Sequence, residues 1–237
     1  MAISIREMAS DCLGVEGEFS VVKDVLGYIF GAPAREIPLV NRLESMKGQA
    51  INLCPILVGF ENDLSGSFTR ADAEHVQFAI DVLRELYAQE NLGVREIFWR
   101  RVGMDDVGGF EDIDTSAEAS DLTQSFSGND NDGLDVFYVG NVDNADGWSP
   151  IGGPCNKNAN RMNGAVCQVL TNDFVGGVLL AHELGHYLGL GSGPDITNVM
   201  GEDPDGDGVD SINSTSVNLT AAQGSTMRSH CSVNPAC

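Results

Sequence analysis

Lysine is almost missing from this chain. Only Lys23, Lys47 and Lys157 occur among 237 residues, and Lys plus Arg total 13 against 35 Asp plus Glu. The net charge of −22 argues against partners that are nucleic acid or an anionic membrane surface. It favours solubility and bound cations, and suits either salty surroundings or an acidic face built for a partner. Long apolar runs are missing too. None approaches the ~18 residues of a membrane span. The opening "MAISIREMASDCLG" has no apolar core of signal-peptide length, so export would need a leader already removed or another route. Pairs of the form C-x-x-C are absent, which argues against a thiolate zinc site or a redox motif.

What is present begins with six cysteines: Cys12, Cys54, Cys155, Cys167, Cys231 and Cys237. An even number in an acidic chain reads as disulfides in an oxidising compartment, hence a secreted protein. Pairing between sequence neighbours gives Cys155–Cys167, Cys231–Cys237 and Cys12–Cys54, although six cysteines allow about 15 pairings. Buried free thiols are the other reading.

Residues 1–49 differ from the rest and read as an N-terminal extension or pro-segment, with short helices at "EFSVVKDVLGYIF" and "IPLVNRLESM". Residues 50–237 read as one domain. "INLCPILVGF" (51–60) is expected to be a buried strand. Thr69 and Asp72 make a capping-box signal for a long helix with Val76, Ala79, Ile80, Leu83 and Tyr87 on one face. His75, near its start, is expected to be solvated. "VREIFWRRV" (94–102) and "LDVFYVGNV" (134–142) read as strands, and the acidic, Gly- and Ser-rich 103–133 as a long loop. A hairpin with Cys155 and Cys167 precedes the helix "NDFVGGVLLAHELGHYLGL", and "NLTAAQGSTMRSHC" is a final short helix. This order predicts a mixed α/β (α+β) domain.

The chemistry concentrates in "AHELGHYLGLGSGPDITNVM" (181–200). Residues i and i+4 stand above one another on a helix, so His182 and His186 can offer two imidazoles to one ion. Glu183 flanks that ion without filling it, and can take a proton from a water attacking a peptide carbonyl. H-E-x-x-H on a helix signals a zinc peptidase, although a helix with two exposed histidines carries the same letters. Gly189 lets the chain turn sharply and bring a later residue back.

With His182, Glu183, His186, Gly189 and a "TNVM" stretch ending in Met200, the sequence resembles the metzincin clan of zinc endopeptidases. The spacing from position 192 to Met200 is similar to that in matrix metalloproteinases, and the tail "NLTAAQGSTM" resembles the closing helix of pappalysin-like members. The resemblance implies a twisted mixed sheet, a long helix, an active-site helix, a Met-turn at Met200 and a C-terminal helix. It implies a zinc-dependent endopeptidase acting on extended polypeptides, with Glu183 as base. It also implies that "LDVFYVGNV" or the following hairpin is the edge on which substrate is added as a strand.

One position departs from the pattern. The expected third zinc ligand is Ser192, and a neutral hydroxyl binds zinc far less readily than imidazole or carboxylate. Three replacements are open: Asp195 swinging in, Ser192 holding a water, or His230 arriving from afar. A degenerate site is the fourth reading.

"DPDGDGVD" sets Asp203, Asp205, Asp207 and Asp210 between glycines, a pattern suited to calcium. Its twelfth position is Ser214 rather than Glu, so a full EF-hand loop is not expected. Asp130, Asp132 and Asp135 form a weaker second candidate. The competing functional class is a metzincin-fold module without catalysis, a calcium-stabilised binding or structural protein.

Overall fold

Gln49–Val58 is buried along nearly its whole length, and in the computed structural model it forms β1, an interior strand of the sheet. The structure describes residues 48–59, 70–128, 131–143, 145–202 and 212–235. The extension up to residue 47, Cys12, Thr69, Asp130, the acidic run Asp203–Asp205–Asp207–Asp210 and Cys237 lie outside them.

A strand buried on both faces needs helices above and below it, and the chain supplies them. Helix α1 (Arg70–Ala88) follows β1 and returns to β2 (Leu92–Ile97), which pairs parallel with β1. The stretch expected as one strand at 94–102 is broken after Ile97. Its second half, β3 (Arg100–Val102), also pairs parallel with β1, further along. The expected loop at 103–133 contains α2 (Met104–Val107), β4 (Asp112–Ile113) and α3 (Ser116–Phe126). Helix α3 starts where the Thr115 hydroxyl accepts from Glu118 N–H, and it buries Ala119 and Leu122.

Strand β5 (Leu134–Val139) pairs with β1 on one side and β8 (Gly164–Gln168) on the other, both parallel. A short β6 (Asn141–Val142) leaves the sheet to pair with β4. Strand β7 (Gly147–Trp148) is antiparallel to β8, and the order across the sheet is β2-β1-β5-β8-β7. β5 is therefore interior and offers no free edge, contrary to one of the two expectations for substrate addition. The hairpin strand β7 holds the edge.

Alternation along the strands divides the core in two. Ile51, Leu53, Leu57, Val136 and Tyr138 face α1 and α4 (Asp173–Tyr187). Cys54, Ile56, Val58, Phe137 and Val166 face the other way, toward α3. Val76, Ala79, Ile80, Leu83 and Tyr87 of α1 are all buried as the periodicity predicts. His75 is only partly solvated, with a ring nitrogen on the Asp173 carboxylate at the start of α4. The last helix, α5 (Ala221–Arg228), carries a capping box between Thr220 and Gln223.

The disulfide pairing differs from the sequence-neighbour expectation. Cys155 is bonded to Cys231, while Cys54 and Cys167 are free and buried. Cys167 lies in the middle of β8, between β5 and β7, where its side chain belongs to the core shared with α1 and α4. Burial raises both thiols, Cys54 to about 12. The disulfide instead ties the loop after β7 to the segment beyond α5.

Candidate metal centre

Helix α4 is an apolar helix with three polar residues near its end. Asn172 caps it, its side chain accepting from Val175 N–H, and residues from Gly177 to Tyr187 are buried. The helix ends at Gly189, with φ of 101°, a value that an L side chain would strain. Gly189 N–H donates to His186 O and Leu190 N–H to Gly185 O, the paired bonds of a Schellman motif. This turn sets the Leu190 carbonyl beside His186, whose Nδ1 bonds it at 2.9 Å. His182 Nδ1 bonds the Val199 carbonyl at 2.8 Å.

Those two bonds fix the chemistry of the rings. A carbonyl oxygen only accepts, so both Nδ1 atoms carry hydrogen, and in neutral rings both Nε2 atoms present lone pairs. The two Nε2 atoms face each other at 3.0 Å. Lone pairs at that distance repel unless a proton or a cation lies between them. A shared proton would make one ring an imidazolium, which burial and the neighbouring His186 ring disfavour at His182. A divalent cation satisfies both rings at once, with carbonyl partners behind each imidazole.

The chain beyond α4 folds back over this pair. Gly193 N–H donates to Met200 O and Glu202 N–H donates to Gly193 O, both at 2.9 Å. Gly201 sits where a side-chain carbon would meet the Asp195 carbonyl oxygen at 2.5 Å and Ile196 Cα at 2.7 Å, so the close turn requires glycine. Met200 is buried beneath the histidine helix, against Gly185. The turn hangs on Asn198: its side chain accepts from Met200 N–H, and its carbonyl from Gly201 N–H.

The same fold-back delivers a carboxylate that the sequence did not single out. Glu202 Oε1 lies 3.8 Å from His182 Nε2 and 3.7 Å from His186 Nε2. With the 3.0 Å between the two nitrogens, these three atoms make a triangle whose circumcentre is about 2.05 Å from each corner. Zinc takes histidine nitrogen and carboxylate oxygen at about 2.0–2.2 Å. The donor set His182, His186 and Glu202 fits a divalent cation in both distance and chemistry. Glu202 stands in "MGEDPDGDGVD", where one acid looks like the others; the signal that could have found it was its place two residues past Met200.

The other expected ligands lie as follows. Ser192 Oγ is bonded to Glu202 Oε1. Asp195 is exposed and folds onto its own turn, its Oδ1 accepting from Thr197 N–H and Oγ–H at 3.0 and 2.8 Å. His230 Nε2 bonds the Gly153 carbonyl at 3.1 Å, and its Nδ1 accepts from Ser232 N–H. Of the weaker calcium candidates, Asp135 is paired with Lys157 Nζ at 2.7 Å and Asp132 accepts from Asn52 at 2.9 Å.

Glu183 is buried, and this raises its carboxyl to about 8, with the charges of Glu202 and Asp146 adding to the effect of burial. It packs on the edge strand: a side-chain carbon at Gly147 would meet Glu183 Oε1 at 2.8 Å. The backbone of β7 and the carboxyl of Glu183 are thus in direct apposition.

No family model matches the chain, and no curated protein matches it. Among solved structures, metalloproteinase-II from Bacteroides fragilis superposes over 87% of this chain with a TM-score of 0.50 at 16% identity. The chain shares its fold with that protein. It spans 59% of that protein's length. An archaemetzincin from Methanopyrus kandleri is covered over 97% of its length, by 81% of this chain, at 16% identity and a TM-score of 0.47. The narrower likeness to matrix metalloproteinases and pappalysin-like proteins finds no support in the Bacteroides structure.

Proposed function

We propose that this protein is a zinc-dependent endopeptidase that hydrolyses extended polypeptides. The observation that carries this reading is the pair of buried imidazoles whose Nε2 lone pairs converge at 3.0 Å, with Glu183 beside them on the same helix. A bound zinc ion would supply a Lewis acid for the scissile carbonyl and lower the pKa of a water.

The chain's own residues supply the rest. His182 and His186 hold the ion, each kept in one tautomer by the Val199 or Leu190 carbonyl. Glu183 takes the proton of the attacking water and passes it to the leaving amine. Among the described residues strand β7 pairs with β8 alone, and an extended peptide can pair on its other side within reach of Glu183. The Cys155–Cys231 disulfide supports an oxidising, extracellular setting. Calcium at Asp203, Asp205, Asp207 and Asp210 remains part of the proposal on the sequence pattern alone.

The test is metal analysis of freshly purified protein together with casein cleavage. One equivalent of zinc and cleavage abolished by a chelator, then restored by zinc, are expected. Protein that takes up no zinc would leave the binding-module reading in its place.

A further inference from the structure

The position where a third ligand is expected holds a serine, and a glutamate ten residues on points at the same place. We infer that this protein has exchanged the two roles: Glu202 is the third metal ligand, and Ser192 is the positioning residue that holds it. The inference rests on the metallopeptidase reading and deepens it.

Four observations converge. The triangle of His182 Nε2, His186 Nε2 and Glu202 Oε1 has the size of a zinc coordination sphere, as shown above. Glu202 is a surface residue by its exposure, 53% of its side chain, yet its Oε1 turns inward to two buried rings. Ser192 Oγ–H donates to that same oxygen. The backbone bonds of Gly193 to Met200 and Glu202, with the bridge between Gly193 and Gly201, keep residues 192 and 202 side by side.

The other donors are engaged elsewhere. Asp195 is committed to Thr197, and His230 has both ring nitrogens bonded near Gly153. Ser192 at the same location is too weak a ligand to replace a carboxylate. A carboxylate oxygen has two lone pairs, so Glu202 Oε1 can accept from the serine while serving a cation. The result is a donor set of two imidazoles and one glutamate, a combination that catalytic zinc sites use with a fourth position open. The serine does for the glutamate what the Val199 and Leu190 carbonyls do for the histidines: it fixes a ligand's direction before the ion arrives.

The experiment measures zinc affinity of the metal-depleted full chain by competition with a chromogenic chelator, with circular dichroism as the folding control. Glu202→Ala and Glu202→Gln should each weaken zinc binding at least tenfold. Ser192→Ala should weaken it several-fold, Ser192→Thr should restore it, and Ser192→Ala should add nothing in the Glu202→Ala background. Ser192→His in that background should recover affinity, because it returns a ligand to position 192. Unchanged affinity in both Glu202 variants, with affinity lost in His182→Ala, would overturn the exchange and leave the metallopeptidase reading standing. Wild-type protein that binds no zinc would overturn both. Ser192→Ala weakening binding equally with and without Glu202 would overturn the positioning role.

Discussion

Met200 and Gly185 are packed so closely that a side-chain carbon on Gly185 would land on the methionine sulfur. The glycine lies on the helix between the two histidines, and the methionine packs against it, so a tight contact underlies the candidate metal centre. Gly185→Ala would have to displace Met200, and overpacking a core costs about 1–3 kcal/mol. The intrinsic helix preference of alanine over glycine offsets at most about 1 kcal/mol of this. A fall in melting temperature is expected, together with weaker zinc binding. In the Gly185→Ala/Met200→Ala double variant the two changes should be less damaging than their sum. Additivity would mean that the contact does not govern the site.

Glu183 should be separable from the metal. Its carboxyl is buried on the β7 side of α4, while the two Nε2 atoms converge with Glu202. Glu183→Gln keeps the shape and removes the proton acceptor. Zinc content should stay at one equivalent and casein cleavage should fall by about 10²–10⁴, the range of a lost general base. Loss of zinc in this variant would assign Glu183 to the coordination sphere. Cleavage within a few-fold of wild type would remove it from the chemistry.

The thiols give a pH test. Burial, and for Cys54 the nearby Asp135 charge, raise Cys54 to about 12 and Cys167 well above its usual value. A raised pKa means the fold favours the neutral thiol. The stability this contributes is fully present below the unfolded thiol range, near pH 8.5, and is lost as pH rises through about 12. Iodoacetamide at pH 8.5 should therefore leave Cys54 and Cys167 unmodified in the native protein and alkylate both in denaturant. Peptide mapping of the same sample should recover Cys155 linked to Cys231. That link closes a loop of 76 residues, and removing it with Cys155→Ser should cost about 2–5 kcal/mol in unfolding free energy. A Cys155–Cys167 peptide would refute the pairing.

The histidine helix was legible because its chemistry is periodic: His182 and His186 stand one turn apart, and Gly189 marks the turn after them. Val76, Ala79, Ile80, Leu83 and Tyr87 were legible for the same reason. Helix α3 was masked by its acidic, Ser-rich composition, although Thr115 and Glu118 carry a capping signature that outweighs it. Glu202 could not be read from periodicity at all. It reaches the histidines through a fold-back stitched by Gly193, Met200 and Gly201 backbone bonds, which depend on three-dimensional proximity rather than spacing. The cysteines misled for a related reason, since Cys167 is close to Cys155 in sequence but is taken by the centre of a strand.

The last helix has a task that its distance from the histidines hides. Gln223 completes the capping box of α5 and also grips Asn198 through two side-chain bonds, at 2.8 and 3.0 Å. Asn198 in turn holds the Met200 and Gly201 N–H groups, and the next residue, Val199, carries the carbonyl that orients His182. Thr220→Ala should cost about 1 kcal/mol through the cap alone and leave zinc affinity unchanged. Gln223→Ala removes the cap partner and the grip together. It should cost more, about 1–3 kcal/mol, because the Asn198 amide loses both of its side-chain bonds. At a temperature where both variants are folded, only Gln223→Ala should release zinc faster to a chelator. Equal release from the two would show that the Val199 N–H bond to the Asn218 carbonyl, at 2.9 Å, is enough to hold the turn, and that α5 supports the fold without supporting the metal.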